Sequence, residues 1–163
     1  MSFFDNLANT IELLLPKEIA IIVLSMLPYF ELKGAIPLGI SLGMSYRESF
    51  IYSLIGSFLP SPIIIFVVTS LLNNLKSNPS YGRFLEKYKK RVRNKKDLVK
   101  NLGYLGLFIF VAIPLPGTGV WTGSFLASIF KMEKKKSMLV IFLGNLCAGL
   151  IITFLSIGIH KMI

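Results

Sequence analysis

Long apolar runs dominate the chain, and no short alternation of apolar and polar residues is prominent. Four such segments cover residues 18–46, 50–72, 102–130 and 137–159. Runs of this length are typical of helices in a membrane. The second and fourth segments have 23 residues each and carry no charge. Each is therefore long enough to cross a hydrocarbon core of about 30 Å as one helix.

The first and third segments are interrupted near their middles. The first contains Pro28, Glu31, Lys33, Gly34 and Pro37, and the third contains the stretch Pro-Leu-Pro-Gly-Thr-Gly at 114–119. A helix does not continue through such a stretch, and the half-segments are too short to cross a membrane alone. Irregular backbone at membrane depth requires protein or a watery cavity to satisfy its polar groups. We therefore predict two re-entrant helical hairpins.

The positions of the charges support this topology. The net charge is +10, with ten of the 18 basic residues at 76–100 and four more at 131–136. If the first and third segments are hairpins, both basic clusters lie on one side of the membrane, as the positive-inside rule favours. Both termini then lie outside the cytoplasm. Basic clusters beside apolar spans are typical of cytoplasmic loops, so we expect no nucleic-acid partner.

The two halves of the chain show a weak internal similarity. The stretch Gly-Ile-Ser-Leu-Gly at 39–43 matches Gly-Val-Trp-Thr-Gly at 119–123, and 56–57 and 63–66 match 144–145 and 151–154. The offset is 80 residues in the first match and 88 in the others. Chance similarity between apolar runs is the alternative. In the hairpin topology the halves point in opposite directions, as in an inverted repeat, which is a pattern common among transporters.

These patterns predict an all-α integral membrane protein that forms a single membrane domain. It comprises an inverted repeat of two re-entrant helical hairpins plus transmembrane helices, with amphipathic surface helices. We expect an interfacial helix or a frayed terminus at 1–16, the first repeat at 18–72 and the second at 102–160. A basic amphipathic linker at 73–101 would lie on the anionic lipids of the cytoplasmic leaflet. So small a chain has little lateral contact of its own, and we expect a homodimer.

Glu31 and Lys33 are the first candidates for function, because an ionisable residue inside a membrane segment is costly unless it is paired or hydrated. A structural ion pair at the hairpin tip is the alternative. In the second hairpin, Thr118 is predicted to cap the returning helix, and Gly117 and Gly119 leave backbone N–H groups open to a ligand. A helix that starts at mid-membrane favours an anion there.

The same argument applies to the helix predicted to begin near Gly34 and Ala35. The Gly-xxx-Gly pairs also allow close helix packing. Trp121 is predicted either to stack on a ligand or to fill the hairpin interior. Hydrogen bonds from Ser57, Asn145 and Thr153 are predicted to hold hairpin to span. Cys147 and His160 are single residues of their kinds. We therefore predict no metal site, no cofactor and no enzymatic activity.

Residues 31–39 and 114–123 resemble the two signature stretches of the small multidrug export protein family of prokaryotic membrane proteins. The resemblance extends over about residues 18–160. Lys33 stands where this family more often has arginine, which keeps the charge but loses the bidentate fork. The family is similar in layout to the DedA superfamily, whose members have paired re-entrant hairpins and are implicated in moving polyprenyl-phosphate lipids with an ion gradient. The resemblance implies a multi-pass protein of the prokaryotic cytoplasmic membrane.

Three hypotheses for the function follow. The first is a proton-coupled secondary transporter of an anionic, phosphate-bearing substrate, such as a polyprenyl-phosphate lipid, with Glu31 as the proton carrier. The second is an exporter of lipophilic cations, with Glu31 as the counter-charge of the substrate. The third is a non-transporting membrane scaffold whose basic linker recruits a partner. The candidate substrate-binding residues are Lys33, Gly34, Pro37, Pro116, Gly117, Thr118, Gly119 and Trp121.

Overall fold

The structure is a computed structural model that describes residues 15–74 and 93–160. The predicted interfacial helix and most of the basic linker lie outside these ranges. The described residues form seven helices and no strand, which confirms the all-α prediction for them. The helices are α1 Lys17–Met26, α2 Glu31–Ser41, α3 Tyr46–Phe58, α4 Pro60–Asn74, α5 Arg93–Ala112, α6 Val120–Ile129 and α7 Lys134–His160.

Two of the described helices are long and apolar enough to cross a membrane. Tyr46–Leu72 joins α3 and α4 through Leu59, which keeps helical dihedral angles, and has 27 residues. Its first turn is fixed by a capping box, in which Ser45 and Glu48 each bond the backbone N–H of the other. The second, Lys134–Gly158, has 25 residues. These helices correspond to the second and fourth predicted segments.

The chain divides into two compact units, and the first contains Met1–Pro60 and Asn145–Ile163. Here α1 and α2 form a hairpin whose base is closed by Lys17 Nζ, which donates to the carbonyl oxygen of Leu42 at 3.2 Å. Helix α1 packs closely on α3 at Gly56. The absence of a side chain there permits this approach, since a Cβ atom at Gly56 would overlap the carbonyl oxygen of Ile22. The helices enclose two apolar clusters, Ile21 with Ala35 and Met44, and Leu32 with Ile36 and Ala148.

The second unit contains Ser61–Gly144. Its hairpin is formed by the apolar part of α5, Leu102–Ala112, and by α6. Gly103, with φ 56° and ψ −124°, interrupts the helical geometry of α5 near the start of this apolar part. The backbone N–H of Glu133 donates to the Tyr104 hydroxyl at 3.1 Å, which ties the two ends of the hairpin together. A Cβ atom at Gly123 would lie 2.7 Å from Val111, so α5 and α6 are also in close contact.

The two halves share one backbone and burial register at a constant offset of 88 residues. Helix α3 begins at Tyr46 and α7 at Lys134. The turn before each of these helices contains one residue with a positive φ, which is Gly43 (77°) before α3 and Lys131 (54°) before α7. Buried positions recur at the same offset. They are 31, 32, 35, 36, 39, 49, 53, 56 and 57 in the first half, and 119, 120, 123, 124, 127, 137, 141, 144 and 145 in the second.

This register corrects part of the predicted similarity. The match of 56–57 with 144–145 agrees with it, whereas the match of 39–43 with 119–123 at an offset of 80 is wrong. Gly39 lies near the end of α2, but Gly119 immediately precedes α6. Sequence identity between two glycine pairs therefore misled the alignment. The inverted orientation of the halves, and the entry of the hairpins into a membrane, stay predictions.

Candidate functional site

The interruption in the first hairpin lies at residues 27–30. Leu27 has extended dihedral angles and ends α1, and the next residue, Pro28, has no N–H group with which to continue the helix. Tyr29 is 75% exposed at the tip. The chain re-enters a helix with a hydrogen bond from the Glu31 N–H to the Leu27 carbonyl oxygen at 2.9 Å. The predicted break is confirmed, although α2 begins at Glu31 and not near Gly34.

Glu31 and Lys33 form an ion pair at the start of α2. The distance from Lys33 Nζ to Glu31 Oε2 is 3.3 Å, and the lysine and glutamate side chains are 21% and 8% exposed. Residues at positions i and i+2 do not face each other on a regular helix. Glu31 has a φ of 43°, outside the helical range, so this rule for regular helices does not apply to it.

The backbone of Glu31 is strained. A positive φ costs an L-residue about 1–2 kcal/mol, and glycine avoids this cost. At the counterpart position of the second half the chain has Gly119, with a φ of 132°. The fold thus accepts glycine here, and the first half carries a buried carboxylate in spite of the strain. A non-glycine residue with an unfavourable backbone conformation at this position supports a functional role for Glu31.

The interruption in the second hairpin lies at residues 113–119. The Thr118 hydroxyl lies 2.7 Å from the carbonyl oxygens of Ile113 and Leu115 and accepts from the Leu115 N–H at 3.1 Å. Gly117, with a φ of 75°, allows the chain to turn back. Thr118 is therefore not the cap of α6, contrary to the prediction. The residue before α6 is Gly119, which has no side chain with which to cap the helix.

The two sets of predicted site residues lie at the starts of two different helices. Lys33 and Gly34 are half-buried in the first turn of α2, and Pro37 is exposed in its second turn. Pro116 and Gly117 are exposed, and Trp121 is half-buried in the first turn of α6. The first set belongs to the first unit and the second set to the second unit. The N-cap residues Phe30 and Gly119 make no side-chain capping bond, and the start of each helix is the positive end of its dipole.

Several polar contacts differ from those predicted. Asn145 Nδ2 donates to Ser57 Oγ at 2.8 Å, which joins the two long helices and not a hairpin to a span. Thr153 donates within its own helix to the Gly149 carbonyl oxygen. The prediction for these residues is therefore wrong in its partners. Gly39 has a packing role, because a Cβ atom there would overlap Ser49 Oγ.

A set of fully buried serines was not predicted from the sequence. Ser61 and Ser124 share a hydrogen bond of 2.8 Å between their hydroxyl groups. The sequence contained a signal for these buried serines, because serine recurs at every fourth residue along α3 and α4. The four serines with this spacing are all buried. They are Ser49, Ser53, Ser57 and Ser61. Among the described residues, no three His, Cys, Asp or Glu side chains lie together as a metal site would require.

The family described as "Putative small multi-drug export protein" matches residues 31–151. The chain belongs to this family. The match begins at Glu31, directly after the first interruption, includes the second interruption and ends in the second long helix. Comparisons with curated proteins and with solved structures gave no match. Membership of the small multidrug export family indicates a transporter in general and a membrane location, in agreement with the two long apolar helices. It favours a non-enzymatic protein; the relation to the DedA superfamily stays a prediction.

Proposed function

We propose that this member of the small multidrug export family is a proton-coupled secondary transporter of an anionic, phosphate-bearing substrate. A polyprenyl-phosphate lipid has suitable chemistry. The proposed location is the cytoplasmic membrane of a prokaryotic cell, which the chain crosses more than once. The observation that carries the proposal is the ion pair of Glu31 and Lys33 at the start of a helix, halfway along an apolar hairpin.

The surfaces of the long helices support placement in a membrane. Each exposes large apolar side chains along most of its length, where a water-soluble helix would carry polar residues. On the first helix these are Ile51, Ile55, Leu59, Ile63, Phe66, Val67 and Leu71. On the second they are Leu139, Leu143, Leu150, Ile151, Phe154 and Leu155. Acyl chains of lipids are the natural cover for both surfaces.

The dimensions of the hairpins support re-entry. Helix α2 has 11 residues and α6 has 10. At about 1.5 Å per residue each arm reaches about 15 Å from its base, half of the hydrocarbon thickness. Both hairpins are closed at the base by a hydrogen bond, so the arms of each begin and end at one level. The shared register and the basic clusters support opposite orientations of the two halves in the membrane.

The chemistry of the first hairpin tip suits exchange of an anion for a proton. Lys33 is the more exposed partner of the pair and lies in the first turn of α2, where the helix dipole also favours negative charge. An anionic head group that engages Lys33 competes with Glu31 for the ammonium group. Without its counter-charge, the buried carboxylate is stabilised by taking up a proton. Substrate binding and proton binding would thereby be coupled.

Two observations favour export of lipophilic cations instead. Glu31 is a buried carboxylate, and the family description names drug export. In this second hypothesis the cation replaces Lys33 as the partner of Glu31. The two hypotheses differ in which side chain contacts the substrate, and so substitution of Lys33 separates them.

The test is transport by purified protein in liposomes, with a polyprenyl phosphate and a lipophilic cation as alternative substrates. We expect proton-driven movement of the phosphate, reduced roughly tenfold or more in Lys33→Gln and uncoupled from the proton gradient in Glu31→Gln. The matched control is Lys135→Gln, which removes a positive charge from the exposed first turn of α7. Transport of the cation alone, improved in Lys33→Gln, would establish the second hypothesis. Absence of transport of either substrate would leave the scaffold hypothesis, whereas transport that is unchanged in both site variants would refute the assigned roles of Glu31 and Lys33.

A further inference from the structure

Tyr29 lies at the tip of the first hairpin, and the residue is 75% exposed. Its ring meets the ring of Phe30 edge to face, with 6.0 Å between the two centroids. The Phe30 ring lies against the first turn of α2, so that a Cβ atom at Gly34 would be only 3.0 Å from it. This packing keeps Tyr29 beside the helix start that carries the ion pair of Glu31 and Lys33.

The second half shows that the fold does not need an aromatic residue at this position. At the offset of 88 residues, the sequence Leu-Pro-Tyr-Phe-Glu at 27–31 corresponds to Leu-Pro-Gly-Thr-Gly at 115–119. Tyr29 therefore corresponds to Gly117, which is exposed at the tip of the second hairpin. An exposed ring adds little to the stability of a fold. A contact outside the hairpin would explain why the first half carries tyrosine where the second half has glycine.

The position of Tyr29 along the hairpin indicates what surrounds it. In the proposed topology the tip lies about 15 Å from the base of the hairpin, near the middle of the hydrocarbon core. Tyrosine in membrane proteins favours sites where its ring meets apolar groups and its hydroxyl meets water or other polar groups. Acyl chains supply only the first of these. An exposed tyrosine at this depth therefore indicates a hydrated space at the tip, which the irregular backbone there also requires.

We propose that Tyr29 contacts the substrate and makes the protein select an amphiphilic anion over a small hydrophilic one. This role rests on the proposed transport function. An amphiphilic phosphate joins a charged head group to an apolar tail, and tyrosine has a hydroxyl donor and an apolar ring on one side chain. The hydroxyl donates to an oxygen of the phosphate that Lys33 binds, and the ring packs on the start of the tail. Lys33 thus attracts any anion, whereas Tyr29 favours an anion with a tail.

The first test is equilibrium binding of a polyprenyl phosphate, of inorganic phosphate and of a lipophilic phosphonium cation to purified protein. Tyr29→Phe keeps the ring and should raise the Kd of both phosphates roughly tenfold, as loss of one hydrogen bond to a charged group predicts. Tyr29→Ala should raise the Kd of the polyprenyl phosphate by roughly a further tenfold, because the ring no longer covers the tail, and that of inorganic phosphate no further. The matched control is Phe154→Ala on α7, where Phe154 is 72% exposed, and it should change none of these values.

The second test measures hydration of the tip by its accessibility to a charged thiol reagent, with the protein in liposomes of neutral phospholipid. Tyr29→Cys and Phe154→Cys are each made in a Cys147→Ser background, which removes the single native cysteine. Such reagents attack the thiolate, which needs a hydrated site to form. We expect Tyr29→Cys to react roughly tenfold faster or more than Phe154→Cys, and a polyprenyl phosphate to slow that reaction.

Three results would overturn the role of Tyr29. Equal Kd values in the wild type and in both Tyr29 variants would show that the tyrosine does not contact the substrate. Binding of the cation that is lost in Tyr29→Ala but kept in Tyr29→Phe would assign the ring to a cation, as in the second hypothesis. A Tyr29→Cys variant as unreactive as Phe154→Cys would place the tip against acyl chains. By contrast, phosphate binding that weakens in Tyr29→Phe but not in Lys33→Gln would count against the proposed function and not against the role of Tyr29.

Discussion

Replacement of Glu31 by glycine and by alanine tests whether the start of α2 is strained. Both substitutions remove the carboxylate, and with it the ion pair with Lys33, so those losses cancel in the difference between the two variants. What remains is the backbone term at a φ of 43°. Since this region costs an L-residue about 1–2 kcal/mol and glycine almost nothing, Glu31→Gly should be more stable than Glu31→Ala by about 1 kcal/mol.

The order of the two variants is the decisive result, because an ordinary helical site gives the opposite order. There, alanine is more stable than glycine by about 1 kcal/mol. The exposed residue Ile51, in the middle of α3, provides the control pair Ile51→Gly and Ile51→Ala. Unfolding in mild detergent, followed by far-ultraviolet circular dichroism, measures all four variants. An alanine variant at position 31 that equals or exceeds the glycine variant would refute the argument from strain.

Three further predictions concern stability, and the same unfolding measurement checks them. Lys131→Gly should stabilise the protein by about 1 kcal/mol, because it relieves a φ of 54°, and Gly43→Ala should destabilise it by a similar amount. Asn145→Ala should cost about 1 kcal/mol because it removes the hydrogen bond that Asn145 donates to Ser57, which keeps its own bond to the Leu54 carbonyl oxygen, and a double-mutant cycle should show coupling of the two residues. Gly56→Ala should cost about 1–3 kcal/mol or more, since its Cβ atom would overlap the backbone of α1.

Each of these predictions has a control or a contrary result. A Cβ atom at Gly158 would have no neighbour within 4 Å, so Gly158→Ala should be neutral or slightly stabilising, in contrast to Gly56→Ala. Equal effects at the two glycines would contradict the argument from close packing. A destabilised Lys131→Gly variant would show that the lysine side chain, and not its backbone, determines stability at that turn. Additive effects of the Ser57 and Asn145 substitutions would mean that their hydrogen bond contributes little.

The helices of the described chain follow from features that can be recognised in sequence. Prolines 28, 114 and 116 locate the interruptions, and two uncharged apolar runs give the long helices. Finer boundaries do not follow, because they depend on dihedral angles that residue types only bias. Gly34 suggested that the helix starts near that glycine. In the structure Glu31 has a positive φ, and the helix starts three residues earlier, at Glu31. Thr118 resembles a helix cap, but its hydroxyl bonds backward into the loop.

Polar contacts between distant segments were the least predictable feature. The partner of Asn145 is 88 residues away, and nothing local distinguishes it from a carboxamide bonded within its own helix. The same applies to the hydrogen bond between Ser61 and Ser124, which lie 63 residues apart. Alignment of the two halves by their backbone shows that Ser124 is polar where its counterpart, Ile36, is apolar. Sequence matching at an offset of 80 concealed this difference.

The constant register has a practical consequence for protein engineering. The turns at 42–45 and 130–133 have equal length, a positive φ at the second residue after the preceding helix, and equal spacing to the next helix. They are therefore interchangeable modules, and exchange of one for the other should leave the helices on both sides in place. Few of the paired positions hold the same residue, so the shared shape tolerates wide divergence in sequence. A chimaeric chain that carries one half twice would reveal which residues that shape requires.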